Sequence, residues 1–237
     1  MKDFALVYQN FFKALKDHIK GLPVLFLAFI LYLTVTNLTN SLFMAMGSSI
    51  FVGLIRWFIR LAILTHLAGL MTRLLRRGSL SMEDLVEYDG GYLAPLSQVL
   101  FAFYLIDMII NMLGGASFIT TTVFVGLYLV WSAFTAPAYE AVYQSGETIN
   151  TIFPSLLRFW KENLLLLIPY IVLVFLIYRT VGMAWSVLAA LPGTGSFPYI
   201  VGYAFLNALF YYSKGIFFRY LSGSSKRSRA YHERSRH

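Results

Sequence analysis

The sequence contains no cysteine, which excludes disulfides and thiolate-held metals. It is also poor in charge. Only 13% of its 237 residues are Asp, Glu, Lys or Arg, against about 25% in an ordinary soluble domain. Negative charge is the scarcer sign, with 11 acidic against 19 basic residues and a net charge of +8. Motifs of chemistry are missing too. There is no nucleophile motif, no paired histidine and no Gly-rich nucleotide fingerprint. The stretch Pro192-Gly193-Thr194-Gly195-Ser196 lacks the Gly-Lys-Ser/Thr of a phosphate loop. No second histidine lies near His66 in sequence, so no metal site and no cofactor are expected. A catalytic role for this chain alone is set aside on these grounds.

What is present is apolar. Hydrophobic residues make up 58% of the chain, with 21 Phe and 16 Tyr. A soluble protein this short could not hide so much apolar side chain, whereas lipid accepts it on the outside. Runs long enough to cross a bilayer, about 20 residues each, fall at about 22–44, 48–72, 93–113, 117–143, 164–188 and 198–221. The expected fold class is therefore all-α, a polytopic membrane protein of six transmembrane helices. The N-terminal residues do not read as a cleaved signal peptide, and the chain is taken as intact.

The connections set the orientation. Those near 45–48, 114–117 and 189–197 are short and uncharged, while the others are basic. Lys2, Lys13, Lys16 and Lys20 precede the first run, and Arg73, Arg76 and Arg77 follow the second. Arg158 and Lys161 precede the fifth, and Arg219, Lys226, Arg227, Arg229, Arg234 and Arg236 follow the sixth. Basic residues mark the cytoplasmic side. All of these fall on one side only if the spans are even in number and both termini are inside.

Three segments between the runs read as interfacial helices, at about 4–20, 79–92 and 147–162. In the first, Phe4, Tyr8, Phe11, Phe12, Leu15 and Ile19 share helical spacing opposite Lys13, Lys16, Asp17 and Lys20. In the second, Ser81 is an N-cap candidate, and Gly90 and Gly91 end the helix. In the third, Pro154 implies a late start or a kink. Phe12–Lys20 can be laid over Phe153–Lys161, and Gly78 answers Gly146, so a threefold repeat of interfacial helix plus helical hairpin is expected. The basic tail, 222–237, should be solvated or lie on anionic headgroups. Membrane lipids are the expected partners, with anionic headgroups at Lys13, Lys16, Lys20 and the tail. A protein partner or a homo-oligomer is also open. Nucleic acid is not expected, because the charges lie between and beyond the apolar runs.

A basic amphipathic helix leads into the first span. A polar link follows an even-numbered span, from Glu140 to Gly146, and a basic segment from Leu157 to Asn163 enters the next hairpin. This layout resembles the six-helix prokaryotic membrane proteins related to the membrane domain of glycerophosphodiester phosphodiesterases. The resemblance covers most of the chain, rests on no invariant motif and transfers no catalytic residue. It implies a prokaryotic plasma membrane location.

Charge inside the spans is the most informative local feature. Arg56 and Arg60 stand at i and i+4 on the second span, and Asp107 lies at similar depth on the third. An ionisable residue at the bilayer centre costs about 2.5–3.5 kcal/mol on insertion scales. Asp107 is expected to pair with Arg60 or Arg56, and Arg179 on the fifth span adds a further charge. Two readings stay open. One is a buried ion pair that fixes helix register, with Arg56 and Arg179 snorkelling outward. The other is a site for an anionic headgroup, phosphate or carboxylate, built from Arg56, Arg60, Asp107 and Arg179. Glu140, just after Pro137, and His66 are candidates for a proton or cation relay. The functional expectation is a small transporter or transport-complex subunit for an anionic or amphiphilic substrate. The alternative is a non-catalytic membrane scaffold or accessory subunit.

Overall fold

The computed structural model describes residues 2–45, 50–114, 121–189 and 196–223. The short links and most of the tail at 222–237 lie outside the described residues. The fold is all-α. Its helices are α1 (Lys2–His18), α2 (Leu22–Ala45), α3 (Ile50–Arg77), α4 (Leu93–Gly114), α5 (Thr121–Thr135), α6 (Ala138–Ser145), α7 (Ile152–Ala189) and α8 (Ser196–Gly223). Four stretches are long and apolar enough to cross a membrane: Val7–Thr39, Phe51–Arg77, Glu83–Met112 and Thr122–Ser145. In the third of these the regular apolar helix begins only at Leu93. Large apolar side chains point outward along the helices. Phe51 is 76% exposed, Val130 71% and Leu165 78%. Such a surface is stable against lipid and unstable against water. The chain is a helical membrane protein.

It divides into two compact units. Unit 1 is Met1–Asp89 with Asn163–His237, and unit 2 is Gly90–Glu162. In unit 1, α2 packs mainly against α8 and also against α3, while α1 lies on α8. The apolar face of α1 is partly covered by the protein and partly open, with Phe12 and Ile19 exposed. Val7 and Phe11 are buried in the protein, and the Phe11 ring sits edge-on, 4.8 Å from Phe217. Lys13, Lys16 and Lys20 stay exposed on the other face. The Tyr212 hydroxyl donates to the Leu15 carbonyl, and Arg219 donates to the Leu75 carbonyl. The basic ends of α1, α3 and α8 thus gather at one end of unit 1.

In unit 2, α4 packs against α5 and α6. Pro137 breaks the fourth apolar run into α5 and α6. The Ala136 N–H closes a tight turn on Ala133 O at 3.2 Å. Trp160 Nε1 donates to the Phe134 carbonyl at 3.0 Å. A helix interrupted by proline needs such replacement partners to persist in an apolar medium.

The introductory segments are not alike, which corrects the expectation of three equivalent interfacial helices. The first is the helix α1. The third is not separate, because α7 starts at Ile152 and runs without a break to Ala189. The second, 79–92, is not a helix; it holds only single turns at Glu83–Leu85 and Gly90–Tyr92. A donor distant in sequence explains this. Arg73 Nη2 donates to the carbonyls of Asp84 (3.1 Å) and Glu87 (2.9 Å). Those carbonyls are drawn to the guanidinium instead of toward the next helical turn.

Candidate functional site

The site rises from α3. Its 28 residues span about 42 Å at the standard 1.5 Å rise, and it carries arginine pairs at 56/60 and 73/77. At i, i+4 spacing each pair projects from one face. In the sequence the second pair stands out only as a topology signal, yet it builds a dense polar cluster. Arg73 Nε lies 3.2 Å from Asp84 Oδ1, and Arg77 Nη1 lies 3.1 Å from the same oxygen. The other carboxylate oxygen accepts from the Ser81 N–H at 2.7 Å and from its hydroxyl at 3.0 Å. Glu87 reaches Arg73 Nη1 at 3.5 Å. Asp84 is only 3% exposed. Desolvation pushes its carboxyl toward the neutral form, but the Ser81 hydrogen bonds and the two guanidinium groups outweigh it, holding the pKa below the usual carboxylate value. Gly78 ends α3 with φ of 77° and gives its N–H to Leu74 O at 2.8 Å. That left-handed cap turns the chain back so that the 79–89 segment lies over Arg73.

The first pair, Arg56 and Arg60, has no carboxylate partner among the described residues of unit 1. Both side chains are exposed on the helix, and the Arg56 guanidinium lies 5.7 Å from the Phe43 ring centre, within cation–π range. Both line a partly enclosed cavity of about 480 Å³ between α2, α3 and α8. From α2 come Tyr32, Thr36 and Thr39, and from α8 come Tyr203, Asn207 and Tyr211. Ile63, Leu64 and Leu67 of α3 and Phe29 and Leu33 of α2 supply apolar wall. The size is that of a small-molecule site, and a mostly apolar wall with few convergent polar groups is the usual composition of one. Two guanidinium groups beside hydroxyls suit an anion with apolar substituents.

Asp107 belongs to unit 2, where its Oδ1 accepts from Trp131 Nε1 at 2.6 Å. Arg179 lies on α7, and its side chain is outside the described residues. Glu140, in the first turn of α6 in unit 2, is completely buried. His66 is in unit 1, next to the cavity. Its Nδ1 shares a 2.7 Å hydrogen bond with the hydroxyl of Tyr32, and its ring stacks on Tyr88 with centroids 6.1 Å apart. Tyr32 gives no signal in the sequence, since nothing in a lone tyrosine within an apolar run marks a partner 34 residues away.

Compared with known proteins, the chain matches no family model, no curated protein and no solved structure.

Proposed function

We propose that the chain is a six-span membrane protein with both termini in the cytoplasm, and that it binds an anionic amphiphile between α2, α3 and α8 as a small transporter or transport-complex subunit. The layout resemblance to the membrane domain of glycerophosphodiester phosphodiesterases belongs to this proposal. One observation carries the binding: Arg56 and Arg60, placed within an apolar helix at a cost of about 2.5–3.5 kcal/mol each on insertion scales, line a cavity of about 480 Å³. A phosphate or carboxylate head meets the guanidinium pair, and the apolar body lies against Ile63, Leu64 and Leu67. The shared end of the basic helix termini supports the orientation. The exposed Lys13, Lys16 and Lys20 on α1 would then face anionic headgroups.

Native mass spectrometry of the protein extracted with its own lipids tests the binding. Wild-type protein should carry a bound anionic phospholipid, and an R56Q/R60Q variant should lose it. Competition by inorganic phosphate separates a free-anion site from a lipid site, because a lipid site keeps its ligand at millimolar phosphate. Reconstitution in liposomes tests transport. Absence of flux for every anionic lipid and solute, with a stable co-purifying protein, favours the accessory-subunit reading.

A further inference from the structure

The cavity wall is connected by a single hydrogen bond to a titratable group behind it. Tyr32 lines the cavity, and its hydroxyl meets His66 Nδ1 at 2.7 Å. The groups around His66 come from every element packed on it. Tyr32 is on α2, Arg73 on α3, and Tyr88 stacks from the 79–89 segment. The carbonyls of Glu87 and Asp84 on that segment are held by Arg73. His66 Nε2 is buried and makes no hydrogen bond among the described residues, so the Tyr32 bond sets the tautomer. A phenol is a stronger donor than an imidazole N–H, so Nδ1 of the neutral ring accepts from the tyrosine and the ring hydrogen is on Nε2. The carboxylates of Asp84 and Glu87 are turned to Arg73 and Arg77.

Resting on the cavity reading above, we propose that anion binding at Arg56 and Arg60 is coupled to proton uptake by His66 through Tyr32. When Nδ1 gains a proton from solvent it becomes a donor, and the bond to Tyr32 reverses. Tyr32 oxygen now accepts from His66, and its own O–H turns into the cavity as a third donor for the anion. No bond other than N–H forms and none breaks in the ligand. The site then binds an anion and a proton together, which moves less net charge than the anion alone. His66 lies six residues from Arg60, about 9 Å along the helix. A unit charge at that range, at an effective dielectric near 20, changes proton affinity by up to about twentyfold. Linkage requires the same factor in anion affinity. Affinity is therefore highest where His66 is protonated and falls as pH rises through its titration.

The test uses full-length protein in detergent and a fluorescent short-chain phosphatidylglycerol, whose phosphodiester stays monoanionic across the range. Wild-type affinity should be about tenfold higher near pH 5.5 than near pH 8.5. H66Q should bind with less than twofold pH dependence, and Y32F, which keeps the titrating ring but loses the hydroxyl donor, should keep a pH dependence weaker than wild type. Each variant is checked for a wild-type elution profile, and H66N stands in if H66Q does not fold. Arginine-dependent binding that is flat with pH in the wild type overturns the proton coupling and leaves the cavity reading standing. A wild-type pH dependence in H66Q overturns it as well, and one in Y32F overturns the role of Tyr32. Binding indifferent to R56Q/R60Q overturns the cavity reading and the coupling with it.

Discussion

Helix α3 carries two arginine pairs at the same spacing, and their surroundings are opposite. Arg73 and Arg77 meet Asp84 at 3.2 and 3.1 Å, under a segment that folds back over them. Arg56 and Arg60 meet a cavity, aromatic rings and hydroxyls, and no carboxylate among the described residues of unit 1. Residue type and spacing cannot tell these pairs apart. The chain immediately after the helix makes the difference. The left-handed Gly78 returns that chain, with Asp84 on it, onto the second pair, and no acidic segment among the described residues of unit 1 covers the first. A guanidinium with its counterion in place serves the fold, whereas one facing a hollow is poised to take its counterion from outside.

The largest expected effect comes from breaking the satisfied pair. Asp84→Ala leaves Arg73, whose side chain is 11% exposed, without its main counterion. Removing one partner of a buried pair costs about 3–5 kcal/mol, so the thermal midpoint in detergent should drop steeply and the 79–89 segment should become protease-sensitive. Arg77, 60% exposed, should contribute far less when replaced by Gln, because exposed pairs are worth about 0–1 kcal/mol. An unchanged midpoint in D84A would show that the cluster is not holding the segment.

Acid sharpens the same contrast. The Asp84 pKa is lowered in the folded state, so its contribution is complete above the usual carboxylate value of about 3.9. It is lost as pH falls from there through the depressed value. Unfolding midpoints of wild type and D84N should therefore converge in acid. Parallel curves down to the lowest accessible pH would contradict this.

The glycine caps come next. Gly78 and Gly146 have φ of 77° and 70°, a region that costs a residue with a Cβ about 1–2 kcal/mol. Gly78→Ala and Gly146→Ala should each lower stability by about that much in thermal melts. The first should also expose 79–89 to protease, and the second should not.

The links after these two glycines show how far the sequence could be read. Both use a similar local device, in which a backbone N–H bonds a side chain three residues on. Ser81 N donates to Asp84 Oδ2 at 2.7 Å, and Thr148 N donates to Thr151 Oγ1 at 3.0 Å. After Thr151 the helix proceeds, with Pro154 in its first turn, where no backbone N–H is needed. After Asp84 it stops, because Arg73 takes the carbonyls. Apolar period and capping residues are local signals, so the expected runs at 22–44 and 93–113 match α2 and α4 closely. The fate of 79–92 depended on a side chain more than ten residues away, which no local pattern records. Pro137 was legible as a break, and its consequence, the Trp160 bond to Phe134, was not. At the site, Arg56 and Arg60 stood out because charge inside an apolar helix is costly. Tyr32, Tyr203 and Tyr211 did not, because neutral polar groups on separate helices meet only after folding.

The smallest expected stability effect belongs to the pair on which the proposed binding rests. R56Q/R60Q should change stability by no more than about 0.5 kcal/mol, as exposed substitutions usually do. Charge-assisted hydrogen bonds are worth about 1.5–3 kcal/mol each, so affinity for an anionic amphiphile should fall at least tenfold. The direct test is equilibrium binding of a fluorescent short-chain phosphatidylglycerol to wild type and to R56Q/R60Q, with the thermal midpoint recorded on the same samples. A loss of at least tenfold in affinity at an unchanged midpoint is the expected result. Unchanged affinity, or a collapsed midpoint that shows the pair holding the fold, would contradict it.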